Sequence, residues 1–178
     1  MGSMLVRVIA GLSLAGTVTT TAIAQQASST NRVAVKTDWS VFVEEDPTEC
    51  WSVATPDETV NTRGGRVVSV RRSDILLFVV FRPGEDVNGT VSFTGGYPFA
   101  AGSTVNVKID DAEFEFITDG EWAWPSTQGQ EPKVIEAMKR GNEAVLTARS
   151  ERGTQTKDTF SLLGFTAAID DAKQRCTK

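Results

Sequence analysis

Two cysteines, Cys50 and Cys176, stand 126 positions apart in this chain. If they pair, the segment 37–53 is fastened to the C-terminal end, and everything between lies in one covalent loop. A loop of that length is worth roughly 4 to 5 kcal/mol in the chain-entropy model. The spacing excludes a C-x-x-C redox motif. Two free thiols or an intermolecular bridge are the alternatives, and the compartment decides between them.

The first residues bear on that compartment. Residues 4–24 contain one positive charge at Arg7, an apolar run over 8–18 and a closing A-I-A site. This order is typical of a secretory signal peptide. The run is shorter than the about 20 residues that span a bilayer. The alternative is a buried or interfacial helix, which the Thr-rich end of the run disfavours.

We therefore divide the chain into three parts. A signal peptide is predicted at 1–24, in which residues 1–3 precede a second methionine and can be a cloning remnant. A flexible N-terminus follows at 25–31, and one domain at 32–178. The exported chain would be periplasmic or secreted, an oxidising environment in which the two cysteines most simply form one disulfide.

Composition excludes several functions. The net charge is −5 without a basic cluster, so nucleic acid and anionic lipid are unsuitable partners. Histidine is absent, which removes Ser-His and Cys-His nucleophile pairs and histidine metal sites. The sequence has no second long apolar stretch, so we predict no membrane span after cleavage. We expect no cofactor and no metal.

Hydrophobic periodicity favours a mainly β domain. Apolar residues alternate with polar ones over 32–44, which predicts one strand with one solvent-exposed face. A short second strand that carries Cys50 is predicted to return beside it as a hairpin. The alternating apolar positions are Val33, Val35, Trp39, Val41 and Val43. Residues 56–65 are interpreted as a polar loop. The unbroken apolar run 75–81 predicts a central strand covered on both faces.

Turn and capping signals complete the pattern. Asn88-Gly89 and Asp110-Asp111 predict tight turns. Pro132 and Gly141 bracket one helix. Thr166 is predicted to cap a final helix, which directs Ile169, Ala172 and Cys176 inward at i, i+3 and i+7. We predict a β-sandwich-like domain with two short helices in the C-terminal third.

Carboxylates are the available acid/base candidates. They could pair for glycoside hydrolysis or bind calcium, but each group sits where a solvated turn, strand face or helix first turn favours acid. We predict no catalytic residue among them. The groups are Glu44-Glu45-Asp46, Asp57-Glu58, Asp110-Asp111, Glu113 with Glu115, and Asp170-Asp171.

Trp122 and Trp124 form the one cluster that suggests a binding surface. At i and i+2 of a strand they point to the same side, and Asp119 and Glu121 precede them. They could stack on a sugar ring or on a partner's aliphatic chain. The alternative is that both pack beneath the helix that starts near Pro132.

The C-terminal third resembles a known family. The runs K-V-I-E-A-M-K-R-G from Lys133 and D-T-F-S-L-L-G-F-T-A-A-I from Asp158, with Trp39-Ser40-Val41 leading to Cys50, are similar to the invasion-associated locus B family. The resemblance implies a small exported alphaproteobacterial protein with a β-sandwich-type domain, in a family named for host-cell invasion. It implies no catalytic residue. Many members carry further cysteines, whereas this chain has two.

The leading hypothesis is a non-enzymatic envelope protein that binds an envelope or host-surface protein or a glycan. One alternative is a carboxylate-based glycan hydrolase that uses Trp122 or Trp124 as a sugar platform. Another is a purely structural oligomer.

Overall fold

A computed structural model describes residues 31–46, 48–85, 87–127 and 129–177. Twelve strands in this part of the chain form one antiparallel sheet, in the order β1-β2-β3-β6-β7-β10-β9-β8-β11-β12-β4-β5. The strands are β1 (Arg32–Lys36), β2 (Trp39–Glu45), β3 (Thr48–Ala54), β4 (Glu58–Arg63), β5 (Arg66–Val67), β6 (Leu76–Arg82), β7 (Val87–Thr94), β8 (Thr104–Ile109), β9 (Ala112–Asp119), β10 (Trp122–Pro125), β11 (Glu143–Arg149) and β12 (Gln155–Ser161). The helices are α1 (Glu131–Arg140) and α2 (Phe165–Cys176), with a short 3-10 turn at Pro83–Glu85.

The sheet folds over on itself, so that its two halves enclose one core. Phe93 of β7 and Phe160 of β12 meet edge to face with ring centroids 6.1 Å apart, although four strands separate β7 from β12 in the sheet order. Helix α2 packs against β2 and β3. The prediction of a mainly β domain with two helices is confirmed. A single folded sheet, rather than two separate sheets, forms both layers around the core.

The stretch 32–44 forms two strands rather than the predicted one, whereas the predicted return strand is confirmed as β3, which pairs with β2. Thr37 takes a left-handed conformation with φ of 54°, which ends β1 and reverses the chain into β2. Trp39 and Val41 of β2 are fully buried, as predicted, whereas Val33 and Val35 of β1 are 43% and 56% exposed. Period-two alternation continued across the turn, so the sequence pattern could not reveal the break.

The predicted polar loop at 56–65 is wrong, because Glu58–Arg63 forms β4 and pairs with β12. Its sequence, E-T-V-N-T-R, has one apolar residue and therefore lacks the strand signal. The polar residues Thr59 and Asn61 bond to charged groups inside the molecule. Those partners, described below, explain why a strand here is polar.

The apolar run at 75–81 contributes β6, which lies between β3 and β7. Leu77, Val79 and Phe81 are buried, but the alternate residues of β6 are only partly covered. The prediction of two buried faces is therefore wrong. The Asn88-Gly89 turn is also wrong, because both residues lie inside β7 beside a register shift at Val80/Phe81.

The remaining turn and helix predictions have mixed outcomes. Asp110 has φ of 48° and turns β8 into β9, as expected. Helix α1 covers the predicted stretch. Thr166 does not cap α2, because the helix begins at Phe165 and Gly164, with φ of 87°, occupies the N-cap position. Gly164 fits because a Cβ there would overlap the backbone carbonyl of Lys36.

Cys50 of β3 and Cys176 at the end of α2 form the predicted disulfide, with Cα atoms 5.7 Å apart. The bridge fastens the last helix to the sheet. The predicted signal peptide at 1–24 and residues 25–30 of the predicted flexible N-terminus lie outside the described residues. Among the residues described, no helix combines the length and apolar content that crossing a membrane requires.

Candidate functional site

Trp122 and Trp124 lie on the outer face of the sheet. Ala123 and Pro125, which alternate with them along β10, are buried on the inner face. Trp122 is 47% exposed, and Trp124 is partly exposed. Trp122 therefore does not pack beneath α1, as the alternative reading of this pair required.

Further aromatic side chains occupy the same outer face. Phe42 lies opposite Trp51 in the sheet register, and their rings stack with centroids 5.3 Å apart and an interplanar angle of 3°. Phe78 of β6 lies 5.8 Å from Trp122, centroid to centroid. Residues directly opposite in an antiparallel pair share a face, so one surface collects aromatic residues from several strands.

We call this surface the aromatic face. Its aliphatic members are partly or largely exposed and are placed by the same pairing: Val80 opposite Trp51, Val53 opposite Phe78, and Ile117 opposite Trp124. No element of the described chain packs over it as α2 packs over the inner side of β2 and β3. The aromatic face comprises Phe42, Trp51, Val53, Leu76, Phe78, Val80, Ile117, Trp122 and Trp124.

The predicted acidic residues lie beside one end of this face. Asp119 of β9 is directly opposite Trp122, and Glu121 occupies the turn before β10. Both side chains are exposed, and neither forms an ion pair with another described residue. The structure thus groups Asp119 with the tryptophans, whereas Glu121 also lines a cavity among arginines.

The acidic pair Asp170-Asp171 has a structural role. Asp170 accepts a hydrogen bond from Lys139 of α1 at 2.9 Å. Asp171 accepts one from Arg175 at 2.7 Å and lies 3.2 Å from Lys36 of β1. Burial alone would raise the pKa of Asp171, but the hydrogen bonds from Arg175 and Lys36 outweigh it and lower that pKa. Within the described ranges, no group of three or more Cys, Asp or Glu side chains could hold a metal ion.

The sequence interpretation missed a buried ionic network. Arg72, in the segment before β6, donates two hydrogen bonds to Asp158 of β12, at 2.7 and 2.6 Å. The same guanidinium donates to the carbonyl of Gly95 and to Asn61 of β4, and Thr59 donates to Asp158. The available signal was the inward alternation of β12, in which a charged residue takes the position between Thr156 and Phe160.

Tyr97 completes this network. The guanidinium carbon of Arg72 lies 4.9 Å from the centre of the Tyr97 ring, and the Tyr97 hydroxyl is 2.5 Å from that of Thr156. Burial raises the pKa of Tyr97. The ring is thereby fixed between β12 and the segment that leads into β6.

The two segments that carry the family resemblance are in contact. The indole nitrogen of Trp39 donates a hydrogen bond to the carbonyl of Ser161 at 3.0 Å. The Trp39 ring meets the Phe165 ring edge to face, with centroids 4.8 Å apart. The opening Trp-Ser-Val motif and the closing S-L-L-G-F-T motif therefore form one structural unit.

A folded antiparallel sheet, fastened to its last helix by a disulfide and exposing an aromatic face, defines a small disulfide-bonded β domain of the type found in oxidising compartments. The sequence model of the Invasion associated locus B (IalB) protein family matches residues 39–173. The chain belongs to this family, which confirms the resemblance.

A solved structure has the same fold. The crystal structure of invasion associated protein b from Bartonella henselae superposes with a TM-score of 0.55 at 15% sequence identity, covering 82% of this chain and 98% of that chain. At this identity the likeness shows the fold alone. No curated protein matches the chain significantly.

Proposed function

We propose that this protein is an exported, non-enzymatic binding module that holds a protein partner against its aromatic face, in the periplasm or at the cell surface. The observation that carries the proposal is the aromatic face itself. A monomeric β domain usually covers or breaks up such a surface, and larger exposed apolar patches mark interaction sites.

The shape and composition of the face favour a protein over a small ligand. Small molecules are bound in concave pockets, whereas the aromatic face follows neighbouring strands of an open sheet surface. Interface centres are rich in Trp, Phe and Tyr, and tryptophan is over-represented among the residues that carry binding energy. Trp51 and Trp122, each next to a second aromatic ring, are the expected anchors.

Charge defines the partner further. Asp119 and Glu121 border the Trp122 end of the face, and they are exposed without an ion pair inside the described chain. A partner with Lys or Arg around an apolar centre would complement them. The acidic overall charge disfavours an anionic membrane surface as the occupant.

The proposed compartment rests on two features of different kinds. The first residues have the order of a signal peptide, and the Cys50–Cys176 disulfide is of a kind that persists in oxidising compartments. Cell fractionation tests this part: recovery of uncleaved protein in the cytoplasm would overturn it.

Quantitative affinity capture from envelope extract tests the binding face. The bait is the mature protein, compared with Trp122→Ser and with the control Leu163→Ser, which removes an exposed apolar side chain outside the face. We expect a specific protein to be enriched by wild type and control and strongly depleted with Trp122→Ser. Equal capture by all three baits would contradict the proposal, and self-association would assign the face to a second copy.

A glycan is the second candidate, because Asp119 lies directly opposite the exposed Trp122 and an indole beside a carboxylate can stack on a sugar and accept its hydroxyl hydrogen bonds. Oligosaccharide binding lost in Trp122→Ser, with no protein captured, would favour this candidate. Oligosaccharide cleavage that Glu121→Gln abolishes would instead favour the hydrolase alternative.

A further inference from the structure

A cavity of about 410 Å³ opens beside the ionic network, at a place that the aromatic face does not include. Its walls come from five parts of the chain: the segment that leads into β6, the Gly96–Pro98 connection, the β11–β12 turn with the start of β12, the end of β4 at Arg63, and the turn before β10 at Glu121. Its volume is within the range of about 300 to 1,000 Å³ that small organic ligands occupy. The cavity can therefore enclose a ligand of roughly the size of a sugar.

The lining is unusually cationic for an acidic chain. Four arginines and two glutamates face the cavity, although the whole chain has a net charge of −5. Arg71 and Arg152 are exposed at its surface, and neither forms an ion pair with another described residue. The six charged lining residues are Arg63, Arg71, Arg72, Arg152, Glu121 and Glu151.

The inner wall of the cavity is rigid. Arg72 is held by Asp158, by the Gly95 carbonyl and by the Tyr97 ring, and its side chain is only 5% exposed. Arg63 is held by a 2.7 Å hydrogen bond to the Thr154 hydroxyl. Because these groups are already ordered, a ligand would lose little of its binding energy to ordering the protein.

We propose that this cavity binds a small sugar-like anion, with one carboxylate or phosphate group on a hydroxylated ring. Arg71, Arg152 and the remaining donors of Arg63 bind the anionic group, since guanidinium groups pair with carboxylate and phosphate through paired hydrogen bonds. Tyr97 and Pro98 contribute an apolar wall for the ring.

The two glutamates explain why the ligand carries a single anionic group and several hydroxyl groups. Glu121 and Glu151 accept hydrogen bonds from sugar hydroxyls, but they would repel a ligand that carries several anionic groups. A neutral sugar would leave the arginines uncompensated. The combination of arginines with two carboxylates thus selects one negative group beside several hydroxyls.

Isothermal titration calorimetry of the mature protein tests the proposal with three probes: D-galacturonate, glucose 6-phosphate and glucose. We expect saturable binding of one or both anionic sugars, which identifies the preferred anion, and at least about tenfold weaker binding of glucose. Binding should weaken as salt rises. Failure of both anionic sugars to bind, or equal binding of glucose, would overturn the proposal.

Variants locate the site. Arg71→Ala/Arg152→Ala should weaken binding of the anionic sugar by about tenfold or more, and both residues are exposed, so folding is preserved and circular dichroism can verify it. The control Lys157→Ala removes one positive charge from the exposed side of β12 and should bind like wild type. Unchanged binding in the double variant, or an equal loss in the control, would overturn the assignment to this cavity.

Discussion

Arg72 and Asp158 form an ion pair with two hydrogen bonds, at 2.7 and 2.6 Å, between side chains that are 5% and 0% exposed. Asp158 begins the family-like D-T-F-S-L-L-G-F-T run, and Arg72 precedes strand β6. The pair therefore joins the two halves of the folded sheet next to the cavity. A buried charge is tolerated only when it is paired and hydrogen-bonded, and Thr59, Asn61 and the Gly95 carbonyl provide the remaining bonds.

Removing one member of this pair should destabilise the fold strongly. We expect Arg72→Met or Asp158→Asn to lower the free energy of unfolding by about 3 to 5 kcal/mol, because the remaining group is left buried without its partner. Urea unfolding followed by tryptophan fluorescence measures the loss.

The exposed pair Lys139–Asp170 is the control for this prediction. Its disruption by Asp170→Ala should cost less than about 1 kcal/mol. The double variant Arg72→Met/Asp158→Leu should lose less stability than either single variant. Equal effects of the buried and exposed pairs would contradict the account of the network.

The disulfide should contribute much of the stability of the C-terminal helix. Reduction of the Cys50–Cys176 bond is expected to lower the free energy of unfolding by about 2 to 5 kcal/mol. The measurement is urea unfolding with and without dithiothreitol. The stability of the double variant Cys50→Ala/Cys176→Ala should not change with dithiothreitol. A change in the double variant, or no change in wild type, would show that the disulfide does not account for the effect of the reductant.

Gly164 should resist substitution more than another glycine of similar conformation. Gly164→Ala combines a left-handed backbone, with φ of 87°, and a Cβ that overlaps the Lys36 carbonyl. The control Gly153→Ala has φ of 78° but open space around its Cβ. We expect a loss of about 1 kcal/mol for Gly153→Ala and a larger loss for Gly164→Ala, compared by thermal unfolding. Equal losses would remove the steric explanation for the glycine of this motif.

Lowering the pH should break the ion pair between Asp171 of α2 and Lys36 of β1. The pKa of Asp171 is lowered in the folded state, so its contribution is fully present above the unfolded value of about 3.9 and is lost as the pH falls through the folded value. Asp171→Asn should therefore be less stable than wild type near pH 7, by about 1 kcal/mol or less. The difference should disappear in acid. A difference that is constant from pH 7 to pH 2 would show that charge is not its cause.

Sequence periodicity predicted the parts of the fold that depend on apolar burial. Alternation and helical spacing predicted the burial of Trp39 and Val41. They also predicted the inward face of α2 and its disulfide bond to β3. The buried polar network could not be predicted from sequence periodicity. Strand β4 and the partners Arg72 and Asp158 are brought together by tertiary pairing across distant segments, and no local pattern records that pairing.

The candidate site was predicted in part. The spacing of Trp122 and Trp124 indicated one shared face. No local pattern linked Phe42 and Trp51 to it, and Phe78 lay in the run that was predicted to be covered on both faces. Their grouping depends on strand order, which places β3 next to β6 and β7 next to β10. The arginine cavity likewise gathers residues from segments that are far apart in the chain.

Site-specific photo-cross-linking in the cells that naturally make the protein is the most direct test of the aromatic face. The photoreactive variant Trp122→benzoylphenylalanine should yield a discrete covalent adduct with one protein. The control Lys157→benzoylphenylalanine, on the exposed side of β12, should yield none. Absence of an adduct at position 122, or the same adducts at both positions, would contradict the claim that this face binds a partner.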